Sequence, residues 1–168
     1  MMANNTNHPG DVKLLAEKIK GIRVAMMTTI HEDGTLRSRP MATLDMEFDG
    51  VLWFFTLEST PKVGEVQENP QVNLSYVKPD DERYVSISGT AQLVRDKQKI
   101  DELWKPFLKA WFPNGKDDPN LALLKVTVTV AEYWDGPSNK MVQLYYIVKS
   151  AATGKVDMGG ENAKVQFK

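Results

Sequence analysis

Residues 51–62 constrain the fold more than any other stretch of this sequence. Residues 51–55 are apolar without a break and follow an Asp-Gly pair, which predicts a short strand that is covered on both faces. Ser59 or Thr60 is a good helix N-cap, and Pro61 suits the first helical turn because its missing N–H would have no partner there. The sequence therefore predicts a buried strand that runs directly into a helix.

The start of that helix also has the chemistry of an anion site. The free N–H groups of a helix N-terminus and the positive end of the helix dipole favour an anion, and Lys62 adds a full charge at the same place. An ordinary capped helix explains the same residues without any ligand, and such caps are common. The neighbouring strand is what favours the ligand.

Residues 36–48 alternate as a strand with two different faces. Arg37 and Arg39 share one face near its start, while Pro40 lacks the N–H that a strand ladder needs. We therefore expect the strand to be an edge, or to bend at Pro40, and a bend leaves backbone groups free to meet a ligand. The alternative is a pair of solvated arginines beside a proline that protects the edge.

The remaining sequence predicts four further strands and several peripheral helices. The strands fall within residues 22–30, 72–76, 85–93 and 124–130, and the helices within 11–20, 61–68, 100–111 and 138–148. Gly89 predicts a bulge or the close approach of another backbone, and Pro106 divides its helical segment into two pieces. We interpret Glu65 and Glu68 as surface charges.

Hairpin connections, including one at Asp49-Gly50 between the second and third strands, predict a small closed antiparallel barrel. A barrel of this size fills its interior with its own side chains. A ligand is therefore expected on its outside or between subunits.

Composition excludes several kinds of site and partner. A net charge of -1 argues against a nucleic-acid or anionic-membrane partner, and the absence of cysteine excludes disulfides and thiolate chemistry. The only histidines, His8 and His31, make a histidine-based metal site improbable. We expect a cytoplasmic protein, because no signal peptide and no apolar run of 18 residues is visible. We divide it into a flexible tail over 1–10, one domain over 11–152 and a polar, Gly-rich tail over 153–168.

Four stretches carry a resemblance to a known family: TLRSRPMATL, LWFFTLESTPKVGEVQENPQVNLSY, YVSISGTAQLV and AEYWD. Their order and spacing resemble the flavin-binding split-barrel superfamily that includes pyridoxamine 5'-phosphate oxidase, and more narrowly its general stress protein 26-like branch. The resemblance covers about residues 11–150. It implies a mainly β fold with peripheral helices, built as a six-stranded antiparallel split β-barrel. It also implies a homodimer that holds FMN in a cleft at the dimer interface; FAD is the other flavin nucleotide to consider.

The resemblance also implies the cofactor contacts. Along the isoalloxazine ring and the ribityl chain it places Arg37, Ser38, Arg39, Pro40 and Met41. The same wall continues with Phe54, Phe55 and Thr56, and the phosphate is assigned to Ser59, Thr60 and Lys62. Trp111 and Trp134 are candidates for closing the pocket from the other subunit, although tryptophans are more often core or interface residues.

Physical reasoning about the residues agrees with this assignment. A flavin monophosphate needs an anion clamp at one end, and hydrogen bonds with flat apolar walls at the other. Lys62 with the helix N-terminus supplies the clamp. Arg37 or Arg39 either reinforces that clamp or lies near the N1–C2 edge of the ring, where a cation stabilises the anionic reduced flavin.

Three functions remain open at this point. The first is an FMN-dependent oxidoreductase that receives hydride from a reduced nicotinamide or another small molecule. The second is a flavin-binding stress-tolerance protein without turnover, and the third is a binder of another tricyclic cofactor such as F420. The chain lacks the C-terminal arginine and histidine pattern of pyridoxamine 5'-phosphate oxidase, which argues against vitamin B6 oxidation.

Overall fold

In the computed structural model of the chain, which describes residues 9–137, 140–155 and 160–167, a curled antiparallel sheet forms a half-barrel. Its strands are β1 (Val24–Ile30), β2 (Leu36–Ala42), β3 (Val51–Leu57), β4 (Gln71–Lys78), β5 (Arg83–Val94), β6 (Leu121–Asp135) and β7 (Glu161–Gln166). Six of them follow the order β2-β1-β4-β5-β6-β3, and β7 pairs with the end of β6. The mainly β, split-barrel prediction is confirmed.

The described residues also form helices, two of which, the first and the second, pack against strands of the sheet. They are α1 (Pro9–Ile19), α2 (Pro61–Glu68), α3 (Lys97–Leu103) and α4 (Lys140–Thr153), with short 3₁₀ helices over Pro79–Asp81 and Pro106–Ala110. The bounds of α2 agree with the sequence prediction, and the predicted break at Pro106 separates α3 from the second 3₁₀ helix. The predicted caps of α4, Ser138 or Asn139, lie outside the described residues.

Strand β3 is buried on both faces, as its unbroken apolar run predicts. Leu52 and Phe54 face the main core inside the half-barrel. Phe55 faces a second core, where its ring packs edge-on against Trp104 at 5.6 Å and α3 contributes Ile100. Burying a Phe side chain stabilises a fold by about 1.5–3 kcal/mol. Strand β3 therefore joins the two cores.

The ladder between β5 and β6 shifts register between Ser88 and Gly89, which confirms the predicted irregularity. A Cβ atom at Gly89 would lie 2.4 Å from the backbone oxygen of Thr127. The backbones approach so closely that only glycine fits without displacement.

The predicted hairpin between the second and third strands is wrong. β2 pairs with β1 and β3 pairs with β6, so β2 and β3 are the two ends of the half-barrel and the barrel is not closed between them. The predicted strand over 36–48 ends at Ala42. Leu44 and Phe48 are nevertheless buried, Leu44 in the second core and Phe48 in the main core. The alternating apolar residues after Ala42 therefore belong to an irregular connection that contributes to both cores, and not to a strand.

The C-terminal segment contributes a strand that the sequence analysis did not identify. β7 pairs with β6 from Val130 to Asp135, and Val165 and Phe167 enter the main core. The Phe167 ring packs edge-on against Phe48 at 6.1 Å. Two apolar residues in a polar, Gly-rich stretch were too weak a signal, because their burial depends on a surface made by distant residues.

Across the described ranges, none of the helices has the length and apolar character required to cross a membrane.

Candidate functional site

A pocket of about 230 Å³ lies where β2, the end of β3, the start of α2 and the second 3₁₀ helix meet. It is lined by Val24, Pro40, Met41, Ala42, Phe55, Thr56, Leu57, Thr60, Lys62, Leu108, Trp111 and Phe112. All but three of these side chains are apolar; the polar ones are two threonines and a lysine. The pocket is therefore an apolar cleft with one basic, hydroxyl-bearing end.

The β2 wall follows from the position of Pro40. Residues 36–42 pair continuously with β1, and Pro40 lies opposite Met26 without a register shift. β2 therefore does not bend at Pro40. It is an edge strand, which confirms the other of the two predicted possibilities. An edge strand leaves half of its backbone groups outside any ladder, so the β2 edge can offer them to a ligand.

The polar end of the pocket is the N-terminus of α2. Thr60 is the N-cap residue, but its hydroxyl makes no capping bond and donates instead to the Leu57 carbonyl oxygen at 2.7 Å. The Lys62 amine donates to the Thr60 hydroxyl at 3.2 Å. Within the described residues no carboxylate oxygen lies within 4.0 Å of the Lys62 amine. In the described part of the chain, the helix end and the Lys62 amine therefore have no anionic group in direct contact.

Burial lowers the pKa of the Lys62 amine, and the positive charge of Arg39 lowers it further, while Glu65 acts in the opposite direction. The protonated amine is poorly solvated where it lies. A bound anion would relieve this cost because it supplies the opposite charge that burial has removed.

Arg37 and Arg39 lie on the inward face of β2, where α2 covers the end of the half-barrel. Arg39 donates to the hydroxyl of Thr29 and, at 2.8 Å, to the carboxylate of Glu65. Thr29 in turn donates to the same carboxylate oxygen at 2.5 Å. An Arg37 nitrogen lies 3.8 Å from the other carboxylate oxygen of Glu65. A buried acid thus anchors Arg39 by a hydrogen bond and attracts Arg37 by charge.

The interpretation of Glu65 as a surface charge is wrong, since only 6% of the residue is exposed. Burial alone would raise the pKa of its carboxyl group. The Thr29 hydroxyl, the charge of Arg39 and the hydrogen bond from Arg39 outweigh burial and hold that pKa below its ordinary value. The signal that could have identified Glu65 was the pair of arginines on one face of β2, because two cations that lie close together favour an acid nearby.

The pocket brings together seven of the predicted contact residues: Pro40, Met41, Phe55, Thr56, Thr60, Lys62 and Trp111. Sequence reasoning missed the remaining lining residues, which are apolar and belong to elements whose packing it did not predict. Leu108 and Phe112, for example, come from the second 3₁₀ helix and the turn after it.

The other predicted residues lie elsewhere. Phe54 points into the main core, and the Ser59 hydroxyl accepts a hydrogen bond from Asn120 at 2.9 Å. Ser38 lies on the outward face of β2, with its hydroxyl 2.6 Å from that of Thr28. Trp134 is near the end of β6, far along that strand from Leu121, which pairs with Leu57 beside the pocket.

An apolar row crosses the outward face of the sheet and begins at the pocket. Val77 of β4 pairs with Tyr84 of β5, and Tyr84 pairs with Trp134 of β6. Val24 of β1 and Val77 are the next residues beyond the Ala25–Tyr76 pair, where the β1–β4 ladder ends. Each of these four side chains is 43–46% exposed. Val24 also lines the pocket, so the outer row joins the cleft to Trp134. We call these four residues the outer row.

Comparison with known proteins connects this architecture to one family. A family model for pyridoxamine 5'-phosphate oxidase-like proteins matches residues 10–157. Protein bli-3 of Neurospora crassa is 28% identical over 163 residues, which cover 90% of this chain and 78% of that protein.

Two solved structures agree with that match. A protein assigned to general stress protein 26 from Jannaschia sp. CCS1 aligns with a TM-score of 0.71 at 28% identity, covering 90% of this chain and 94% of its own. The general stress FMN/FAD binding protein of Xanthomonas citri aligns with a TM-score of 0.67 at 28% identity, covering 79% of this chain and 93% of its own. The region matched by the family model contains every residue that lines the pocket.

Proposed function

Because the chain belongs to the pyridoxamine 5'-phosphate oxidase-like family, we propose that it binds a flavin nucleotide, FMN or FAD, in the pocket beside Lys62. We also propose that it uses the flavin as a redox cofactor for a substrate of unknown identity. The observation that carries the proposal is a partly buried lysine at a helix N-terminus, without a carboxylate within 4.0 Å among the described residues. Such an arrangement favours a phosphate.

The residues of the pocket fit the two ends of a flavin nucleotide. Lys62 and the N-terminus of α2 would hold the phosphate, and the Thr60 hydroxyl lies beside them. Met41, Phe55 and Trp111 would form flat apolar walls for the ring. The Xanthomonas citri neighbour, whose name describes FMN/FAD binding, supports a flavin over other tricyclic cofactors.

The size of the pocket supports a homodimer. Ligand pockets typically enclose roughly 300–1,000 Å³, and this one encloses about 230 Å³. The ring of a flavin would extend beyond a cleft of that size. A second copy docked on the outer row would bury its exposed apolar side chains and could bring its Trp134 towards the cleft. This is the arrangement expected from the sequence resemblance.

When bound, a flavin would supply two-electron chemistry, accepting hydride from a reduced nicotinamide or another small donor. The chain itself would bind, orient and shield the flavin. Lys62 and the helix end fix the phosphate, and the apolar walls exclude water from the ring. Among the described lining residues, Lys62 carries the only acid–base side chain and is assigned to the phosphate, so a proton required by the reaction would come from the substrate or from water.

The test is the visible spectrum of freshly purified protein, followed by calorimetric titration with FMN, FAD and riboflavin. We expect yellow protein, or colourless protein that binds added FMN. Protein that is colourless and binds neither flavin nucleotide would overturn the proposal. Anaerobic addition of NADH or NADPH then tests the redox part, because loss of the yellow colour is expected if a nicotinamide is the donor.

A non-catalytic flavin-binding protein is the other outcome of that second experiment. Tight flavin binding, with a flavin that stays oxidised in the presence of every donor tried, would retain the binding proposal and remove the oxidoreductase. Both outcomes are compatible with a cytoplasmic protein whose partners are small molecules.

A further inference from the structure

We propose that Glu65 is a positioning residue that holds Arg39 at the phosphate end of the pocket. The inference rests on the proposed function, because it concerns the recognition of the flavin phosphate by this site. It assigns different tasks to the two arginines that the sequence places side by side on β2.

The geometry supports an indirect role for Glu65. Neither Glu65 nor Arg39 lines the pocket itself. Glu65 accepts a hydrogen bond from Arg39, and the charge of Arg39 acts on Lys62, which does line it. The guanidinium of arginine carries five N–H donors in a fixed plane. Arg39 directs one nitrogen to Thr29 and the other terminal nitrogen to Glu65, so the plane is fixed from one side. The donors that these two bonds do not use remain for a phosphate oxygen.

Charge gives a second reason for the carboxylate. Arg37, Arg39 and Lys62 bring three cations together around the start of α2, and the charge of Arg39 lowers the pKa of Lys62. Three cations this close would repel one another in the absence of an anion, and the arginines would turn towards solvent. Glu65 offsets one of the charges, and the net positive charge that remains suits a phosphate that carries up to two negative charges.

The two arginines differ in how firmly Glu65 holds them. Arg39 is 22% exposed at its side chain and makes a direct hydrogen bond to the carboxylate. Arg37 is 48% exposed at its side chain, and its nearest nitrogen stops 3.8 Å from an oxygen of Glu65 that has no hydrogen-bond partner within the described residues. Arg39 is therefore the more firmly held arginine, whereas Glu65 attracts Arg37 by charge at a longer distance.

The experiment compares FMN and riboflavin affinity, measured by calorimetry, in the wild type, in two Glu65 variants and in one control variant. Glu65→Ala is expected to weaken FMN binding about tenfold, the size expected for one charge-assisted contact. It is expected to leave riboflavin affinity within about twofold, because riboflavin has no phosphate. Glu65→Gln keeps the shape and one acceptor oxygen, so it should restore part of the FMN affinity. Glu68→Ala, on the exposed side of the same helix, is the matched control and should bind both ligands like the wild type.

A double-mutant cycle distinguishes positioning from general damage. If Glu65 acts through Arg39, then Glu65→Ala should cost no further FMN affinity in a protein that already carries Arg39→Ala. Additive losses, equal losses for FMN and riboflavin, or an FMN affinity that stays the same or rises in Glu65→Ala would each overturn the inference. Where Glu65→Ala fails to fold, the same comparison is made with Glu65→Gln. A wild type that binds FMN normally keeps the proposed function intact in those cases; a wild type that binds no flavin overturns both.

Discussion

Lys62 shows how one residue can join stability to ligand binding. Its amine is partly buried, its pKa is lowered by that burial, and among the described residues its hydrogen-bond partner is a threonine hydroxyl. The protein keeps a charge in a poorly solvated place where a neutral residue would cost less. Such an unfavourable placement is typical of binding sites, where the ligand supplies the missing interaction.

Replacement of Lys62 by alanine is expected to weaken FMN binding by about ten- to a hundredfold, because a charged hydrogen bond to phosphate contributes about 1.5–3 kcal/mol. Riboflavin affinity should change little. Lys109→Ala removes an exposed lysine near the same pocket and serves as the control. Calorimetric titration with both ligands gives the ratio, and equal losses for FMN and riboflavin would remove Lys62 from the phosphate site.

At the scale of elements, two glycines in neighbouring parts of the sheet and its covering helix show opposite constraints. Gly89 lies where β5 and β6 shift register and their backbones nearly touch. Gly64 lies inside α2, and a Cβ atom there would meet nothing within 4 Å. Gly89 is needed for close packing of the two backbones, whereas Gly64 only adds conformational freedom to the unfolded chain.

We therefore expect Gly89→Ala to lower the free energy of unfolding by about 1–3 kcal/mol, as overpacking does. Gly64→Ala should raise it by about 0.5–1 kcal/mol, since alanine is the better helix former. Urea denaturation of the two variants beside the wild type measures both values. Similar stability in the two variants would contradict the bulge as the reason for Gly89.

A single copy of the molecule exposes apolar side chains of the sheet and the pocket to solvent. The outer row crosses four strands, and Trp111 at the pocket is 61% exposed. An exposed apolar surface that continues into a binding cleft is typical of an interface. On this surface a second copy would both bury the row and enlarge the cleft.

A charge in the middle of the outer row is expected to prevent dimer formation. Val77→Lys should give a monomer in sedimentation or light-scattering measurements and should weaken FMN binding at least about tenfold, because the cleft would lose its second half. Thr90→Lys places the same charge on an exposed β5 position outside the row and should remain dimeric. A wild type that is monomeric, or a Val77→Lys protein that stays dimeric, would refute this interface.

The sequence by itself determined the parts of this protein that depend on neighbouring residues. Local chemistry decides the unbroken apolar run of β3, the bounds of α2 and the break at Pro106, and all three were predicted. The irregularity at Gly89 was also predicted, because a glycine inside a strand pattern is itself the signal for it. The basic end of the pocket was predicted because Thr60, Pro61 and Lys62 are consecutive in the chain.

Only the tertiary structure decided which strands pair and which charges are buried. Leu44 and Phe48 alternate as a strand would, yet they lie in a connection, because the two cores they enter are built by distant residues. Glu65 is buried where two arginines from β2 lie close to its carboxylate. β7 forms because β6 has a free edge for it to pair with and because Phe48 packs against Phe167 at its end. Partners that are far apart in the chain leave no local pattern, since their energies arise only when the fold brings them into contact.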